Sequence, residues 1–188
     1  DVLGSRGLGD VYKRQLPYLF LITLVSFCSV LDYVKLNTKS RKILLVLLIG
    51  LLIMFCGTRF ETGNDWTAYV DTFNRIPPFE SLCNNPEMFV VSRMEPGYVI
   101  LNSIVKSLGG TIDIVFLISC IITVGLLFIA LNRYSFFCFL AILLYMRYGY
   151  LQANMMFVRQ GIAVSIFFIS LKYVEELSLI HISEPTRP

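Results

Sequence analysis

Long apolar blocks alternate with short polar segments along this chain, and this pattern predicts helices that cross a membrane. A helix needs about 20 apolar residues, at roughly 1.5 Å each, to cross a hydrocarbon layer about 30 Å thick. The first two blocks are apolar on all sides, which favours burial in lipid over the one-sided contact of a soluble helix. The predicted spans are residues 16–34, 43–60, 111–131, 136–150 and 161–174.

The loop between the first two spans sets the predicted orientation. Residues 35–42 read KLNTKSRK and carry four basic residues and no acidic one. Short basic loops stay in the cytoplasm, so the second span should bring the chain to the outer face at Arg59. Arg133 and Lys172 then fall on the inner side as well, which makes the topology self-consistent.

Residues 58–110 interrupt the apolar pattern and form a predicted outer loop. This stretch contains ten charged residues and four prolines. Residues 64–73 are predicted as a short helix in which Asn64 or Asp65 is the N-cap. The chain is therefore predicted to be an all-α polytopic membrane protein with about five transmembrane helices and a long extracytoplasmic loop holding short helices.

A second short helix is predicted after Pro96, at the end of the outer loop. Tyr98, Leu101 and Val105 share one face, which suits an interfacial or re-entrant helix rather than a span. The alternative is that residues 96–108 cross the membrane. Everything after them would then invert, and the polar segment at about 147–160 would lie inside.

The amino-acid composition further limits the classes of protein to which this chain can belong. Of the 188 residues 56% are hydrophobic and 15% are charged, and the mean hydropathy is +0.70. Soluble domains carry about 25% charged residues, so this composition argues against an ordinary cytosolic enzyme. Sixteen basic residues against 13 acidic ones, without a long basic run, argue against a nucleic-acid partner. The five cysteines show no CxxC spacing, so neither a zinc site nor a disulfide framework is expected, and no metal or cofactor is predicted.

The two ends of the chain are predicted not to be natural protein sequence. Residues 5–15, SRGLGDVYKRQ, and 177–187, LSLIHISEPTR, can be encoded by opposite strands of one DNA duplex at all eleven positions. They resemble translations of a transposon-type sequencing adaptor, so we treat 1–15 and 177–188 as artefacts and 16–176 as the protein fragment. The alternative for the first segment is a basic amphipathic tail. The one histidine, His181, falls within the second segment.

Four arginines on the predicted outer side are the first candidates for chemistry. A guanidinium is always charged and grips phosphate oxygens in a two-pronged fork, so arginines near membrane depth suit an anionic lipid head group. For any single arginine a structural role explains its presence equally well. Its side chain would either snorkel to the membrane interface or form a salt bridge to Glu61 or Glu95. The four are Arg59, Arg93, Arg147 and Arg159, and Gln160 could add hydrogen bonds.

Two carboxylates are candidates for a general base. Asp65 and Tyr69 lie four residues apart and share a helix face, so Asp65 beside lipid could bind a sugar hydroxyl or accept its proton. A simple N-cap role explains Asp65 about as well. Glu95 precedes the helix that starts at Pro96, where a negative charge is favourable near the helix start without any catalytic role.

Three motifs in this order resemble the EpsG family of bacterial exopolysaccharide proteins. They are Arg59 followed by TGNDWTAY at 62–69, EPGY at 95–98, and RQGIAVSIFF at 159–168, with Asn64 where the family usually has threonine. The family is similar to Wzy-type polysaccharide polymerases, which are usually about twice as long. The resemblance implies that 16–176 is roughly the N-terminal half of a multi-pass protein of the bacterial plasma membrane.

The resemblance also implies a reaction. A growing glycan on polyprenyl pyrophosphate would be passed to the sugar of a new lipid-linked repeat unit at the outer face, with the lipid bilayer and other exopolysaccharide-assembly proteins as partners. Asp65 and Glu95 are the catalytic candidates in this reading, and the arginines with Tyr69 and Gln160 bind substrate. The alternatives are a non-catalytic flippase or assembly subunit of the same pathway, and an unrelated transporter, for which no repeated broken-helix pattern is visible.

Overall fold

The computed structural model describes the backbone of residues 2–34, 36–85, 87 and 94–183, and every regular element in these ranges is helical. Side chains are described from residue 15 to residue 176 within those ranges, except that of residue 175. The helices are α1 (Val2–Val30), α2 (Thr38–Gly57), α3 (Trp66–Arg75), α4 (Phe79–Asn84), α5 (Pro96–Ser107), α6 (Ile112–Tyr134), α7 (Cys138–Tyr145) and α8 (Val158–Ser183). A 3₁₀ turn, Leu31–Tyr33, follows α1, and two π-helical turns, Met146–Tyr150 and Gln152–Met156, separate α7 from α8.

Three helices within the described ranges are long and apolar enough to cross a membrane. They are Gln15–Tyr33, Thr38–Gly57 and Ile112–Tyr134, and they match the first three predicted spans. The second begins at Thr38 rather than residue 43, because the polar residues before the apolar block continue the helix. The apolar helix Cys138–Tyr150 is shorter, and the predicted span 161–174 lies inside the longer α8. The all-helical membrane fold is confirmed, whereas the number of five spans stays a prediction.

The chain divides into two compact units. The first contains Asp1–Leu48 and Leu131–Gly149, and the second contains Ile49–Ala130 and Tyr150–Pro188. In the first unit the fully buried Asp32 carboxylate accepts a hydrogen bond from the Leu140 backbone N–H at 2.9 Å and pairs with Arg41 at 3.2 Å. Arg41 also donates to the Phe136 carbonyl at 2.8 Å. The carboxylate therefore caps the first turn of α7, where the backbone N–H groups have no partner in their own helix.

In the second unit α5 is a short helix that packs against a buried cluster. Its 12 residues extend only about 18 Å, well below the roughly 30 Å of a hydrocarbon layer. Tyr98 and Val105 are buried, and Leu101 is packed beside the same cluster, as their shared face predicts. This length does not support the alternative in which residues 96–108 span the membrane.

The Lys106 ammonium holds α3 against α5. It donates hydrogen bonds to the backbone carbonyls of Phe73 at 3.0 Å, Asn74 at 2.9 Å and Ile76 at 2.7 Å. The last carbonyls of a helix have no partner within it, and a cation there also complements the helix dipole. Lys106 therefore fixes the position of the end of α3 relative to α5.

Candidate functional site

Arg59 is a buried cation, two residues beyond the end of α2. Only 5% of the residue is exposed. Its Nη1 donates to the Asn154 carbonyl at 2.8 Å, and Cζ lies 4.0 Å from the centre of the Phe116 ring. Its Nε and Nη2 are buried and have no hydrogen-bond partner among the described residues. Desolvation lowers the pKa of Arg59 below its ordinary value, because burial disfavours the charged form.

The π-helical turn Gln152–Met156 supplies the acceptors for this site. Phe157 N–H closes the wide turn by donating to the Gln152 carbonyl at 2.7 Å. The helix is interrupted there, so carbonyls near the end of the turn accept hydrogen bonds from side chains. The Asn154 carbonyl accepts from Arg59, and the Met156 carbonyl accepts from the Tyr69 hydroxyl at 3.3 Å. Tyr150 fixes the start of this segment, because its buried hydroxyl donates to the Leu52 carbonyl of α2.

The loop from Arg59 to Asp65 passes close to the same π turn. Gly63 has a φ of 103°, in the left-handed region that favours glycine. A Cβ at Gly63 would collide with the Met155 carbonyl oxygen and would lie 3.8 Å from Arg59 Nη1. Gly63 of the TGNDWTAY segment is therefore required both by the backbone conformation and by the space available for a side chain.

Two tyrosines form the aromatic wall of the site. Tyr69 on α3 and Tyr98 on α5 meet edge to face, with ring centres 5.7 Å apart, and Tyr69 meets Phe116 of α6 at 5.9 Å. Tyr69 and Tyr98 are 4% and 5% exposed. Desolvation by burial raises the pKa of Tyr98, so its phenol stays protonated and can donate a hydrogen bond.

Arg159, in the first turn of α8, forms an ion pair with Glu95, the residue before α5. Arg159 Nη1 lies 2.6 Å from Glu95 Oε2. Partial burial opposes the charge of Arg159, but hydrogen bonds with Glu95 and Tyr69 outweigh it and raise its pKa. Slight desolvation would raise the pKa of Glu95, but its own backbone N–H and Arg159 stabilise the carboxylate and lower it. The salt bridge considered from sequence for these arginines is thus formed by Arg159.

The structure brings four of the predicted site residues together in the second unit. Arg59 and Arg159 both interact electrostatically with Tyr69 and Tyr98, and Glu95 pairs with Arg159. Sequence reasoning did not select Phe116, because an all-apolar span gives no periodic sign of which face meets a cation. It also missed the Asn154 carbonyl, since a backbone acceptor depends on the π turn and not on the residue type.

The other predicted residues lie elsewhere or make fewer contacts. Asp65 is the N-cap residue of α3, as predicted, but its side chain makes no capping hydrogen bond. Asp65 is partly exposed, and its carboxylate makes no hydrogen bond with the Tyr69 hydroxyl, which donates to the Met156 carbonyl instead. Gln160 is exposed. Arg147 belongs to the first unit, where its Cζ lies 5.7 Å from the Tyr148 ring centre, and Arg93 lies outside the described residues.

The site presents several buried hydrogen-bond donors. Four buried N–H-bearing nitrogens have no partner in the described part of the chain, and all four border the aromatic cluster of Tyr69, Tyr98 and Phe116. They are Arg59 Nε, Arg59 Nη2, Arg159 Nε and Trp66 Nε1. Leaving a buried donor without a partner costs about 1–3 kcal/mol, and more for a charged group. An anion with several acceptor oxygens would satisfy these groups.

Comparisons with known proteins identify the family of the chain. No curated protein and no solved structure matches it. The EpsG family model matches residues 42–182, which is more than half of the chain. The match covers most of α2, all of α3 to α7, and α8 up to residue 182. Arg59, Gly63, Tyr69, Glu95 and Arg159 all lie within the matched region. The chain belongs to the EpsG family.

Proposed function

We propose that this protein takes part in exopolysaccharide biosynthesis as a polymerase. It joins oligosaccharide repeat units, carried on polyprenyl pyrophosphate, at the outer face of the bacterial plasma membrane. Family membership and the three apolar helices support the pathway and the membrane location. The observation that carries the proposal is Arg59, a cation buried beside Phe116 with two nitrogens lacking partners in the described ranges.

A pyrophosphate explains the charge arrangement around Arg59. In the described structure the guanidinium donates one hydrogen bond to a backbone carbonyl and lies over a ring face, and no carboxylate pairs with it. A buried charge without a counter-charge is costly, so binding of an anion is strongly favoured there. When the glycosidic phosphate bond breaks, negative charge develops on the leaving pyrophosphate, and preorganised guanidinium groups stabilise that charge. Arg59 and Arg159 then contact the same head group.

The two carboxylates take different roles in this proposal. Glu95 is bound to Arg159 and its pKa is lowered, which makes it a weak base and a good positioning group. Asp65 has no ion pair in the described part of the chain and remains available. The acceptor sugar hydroxyl gives its proton to Asp65, its oxygen attacks the anomeric carbon, and the pyrophosphate leaves with the bonding electron pair.

The proposed topology has five spans, with α7 and its π extension and α8 added to the three long apolar helices. The basic loop at 35–42 is then cytoplasmic, and the site formed by α3, α5 and the start of α8 faces outward. Other exopolysaccharide-assembly proteins are the expected protein partners.

A flippase subunit of the same pathway is the second candidate. The unpartnered Nε and Nη2 of Arg59 among the described residues support it, because they would bind an anion without requiring any base. Substitution of Asp65 separates the two functions, because only a polymerase needs a proton acceptor at the sugar.

The test uses the full-length gene with Asp65→Asn and, as a matched control on the same short helix, the exposed Asp71→Asn. We expect Asp65→Asn to shorten the polymer sharply while single lipid-linked units still reach the outer leaflet, and Asp71→Asn to make normal polymer. Units trapped on the inner leaflet would favour a flippase. Normal polymer from Asp65→Asn would contradict the assignment of the base.

A further inference from the structure

A groove opens beside Arg59 in the second unit, between the end of α2 and the first turns of α6. Gly57, Thr58, Arg59 and Phe60 line one side, and Ile114 and Leu117 line the other. Its volume is about 270 Å³. A water molecule occupies about 30 Å³, so the groove has room for a far larger group.

The walls of the groove are apolar, and their residues remain accessible. Phe60 is 71% exposed and Ile114 is 43% exposed. Gly57 has no side chain, which lets the backbone of α2 approach Leu117 closely; a Cβ there would lie 2.7 Å from Leu117 Cδ1. Because both helices have the length and composition of membrane spans, the groove lies at the ends of two spans, where a bilayer places its phosphate groups.

Two charges border the groove, and they are not equivalent. Arg59 is 5% exposed and keeps Nε and Nη2 without partners among the described residues. Asp113 lies in the first turn of α6, where the helix dipole favours a carboxylate, and accepts a hydrogen bond from Thr111 at 3.3 Å. An anionic group in the groove is therefore expected against Arg59, away from Asp113. Leu117, four residues beyond Asp113, lies about 6 Å deeper along the helix axis.

We propose that this groove binds the first part of the apolar chain of a lipid phosphate whose phosphate contacts Arg59. The proposal rests on the proposed function, because that function places a phosphate at Arg59. It adds the place where the lipid chain lies and the direction from which the ligand enters: the lipid approaches from the bilayer, between α2 and α6, and not from the aqueous side. Phe60, Ile114 and Leu117 contact the chain, while Arg59 contacts the phosphate oxygens.

The experiment fills the groove and measures two ligands. Ile114→Trp places a large ring in the groove, and Ile121→Trp is the matched control. Ile121 is 48% exposed and lies seven residues later, about two turns along the same face of α6 and outside the groove. The purified chain in detergent micelles is titrated with a long-chain polyprenyl phosphate and, separately, with inorganic pyrophosphate.

We expect Ile114→Trp to weaken polyprenyl phosphate binding about tenfold, the effect of excluding roughly two methylene groups from an apolar site. Pyrophosphate binding should not change, which also shows that the variant is folded. Ile121→Trp should change neither ligand. Phe60→Ala is a milder second variant and should weaken only the lipid ligand.

Two results would overturn the proposal. The first is that Ile114→Trp and Phe60→Ala both leave polyprenyl phosphate binding unchanged. The second is that both variants weaken the binding of polyprenyl phosphate and of pyrophosphate equally. Arg59→Gln tests the underlying function separately, because it should weaken both ligands. If Arg59→Gln changes the binding of neither ligand, the assignment of a phosphate site to Arg59 is wrong, whatever the groove variants show.

Discussion

Arg59 Nη1 donates a hydrogen bond of 2.8 Å to the backbone carbonyl of Asn154, 95 residues further along the chain. This bond ties the loop that follows α2 to the π turn that precedes α8. Two of the sequence motifs, the one that follows Arg59 and the one that begins at Arg159, are thereby brought to the same aromatic cluster. The geometry of the site thus depends on a contact between a charged side chain and a backbone acceptor.

Arg59→Lys and Arg159→Lys in the full-length gene should each reduce polymer output, and the double variant should reduce it further. Lysine keeps the charge but loses the two-pronged contact with phosphate, which costs about ten- to a hundredfold in binding. Polymer length is measured by gel electrophoresis at matched membrane levels of the protein. Arg75→Lys, at the exposed end of α3, is the control and should leave polymer output unchanged. Normal polymer in both single variants would contradict the site.

Gly63→Ala should destabilise the protein and Gly97→Ala should not. Alanine at a φ of 103° is strained by about 1–3 kcal/mol, and its Cβ would also collide with the Met155 carbonyl. Gly97 lies in the first turn of α5 with open space around it, so a Cβ is tolerated there. Thermal unfolding of the purified protein in detergent measures the difference. Equal midpoints for the two variants would show that the turn at Gly63 adapts.

Lys106→Met should lower the free energy of unfolding by about 2 kcal/mol. Methionine keeps most of the apolar stem and loses the ammonium that binds three carbonyls at the end of α3. Lys172→Met is the control, since it removes only an ion pair to Glu176 one turn away, worth about 0.3–0.5 kcal/mol. Chemical denaturation of both variants gives the comparison. If Lys106→Met lowers the free energy of unfolding as little as Lys172→Met does, Lys106 does not cap α3.

The Glu95–Arg159 pair should make a small contribution to stability that disappears in acid. The pKa of Glu95 is lowered in the folded protein, so the contribution is present above its ordinary value of 4.5 and is lost as pH falls through the lower folded value. Because the Glu95 side chain is 62% exposed, solvent screening keeps it below about 1 kcal/mol. In Glu95→Gln the thermal midpoint should lose this contribution to its decrease in acid. Glu80 is exposed on α4, so Glu80→Gln should keep the wild-type dependence of the midpoint on pH. Identical acid profiles for wild type and Glu95→Gln would contradict the pairing.

Cys83 should react with a membrane-impermeant maleimide on intact cells. It is exposed on α4 in the predicted outer segment, whereas the other four cysteines are buried. Labelling is followed by mass shift before and after lysis, and Cys83→Ser should abolish it. Modification of Cys83 only after lysis would reverse the topology and place the site on the cytoplasmic side.

The helices and several site residues could be predicted from the sequence, because each follows from a rule that involves only neighbouring residues. Apolar length predicts the spans, Asp65 precedes α3 as an N-cap residue should, and Tyr98 and Val105 share the buried face of α5. Arg59 was selected because a cation near membrane depth is costly wherever the chain folds. These inferences need only neighbouring residues.

The remaining features depend on contacts between distant segments, which one sequence does not specify. The lone acid Asp32 in an apolar stretch gives no indication that it caps α7, more than a hundred residues later. Tyr69 was predicted beside Asp65, but its hydroxyl reaches Met156. Phe116 lies in a span that is apolar on all sides, so its contact with Arg59 could not be recognised.

The wide turn at Gln152–Met156 also sets the rotational phase of α8. Each residue of an α-helix advances the side chain by about 100°. Shortening the turn by one residue would therefore rotate α8 by roughly that angle and carry Arg159 away from Glu95 and Tyr69, with Gln160 or a neighbour facing α5 instead. The chain length between Tyr150 and Val158 thus determines which residue of α8 is presented to the site, independently of the chemistry of the intervening side chains.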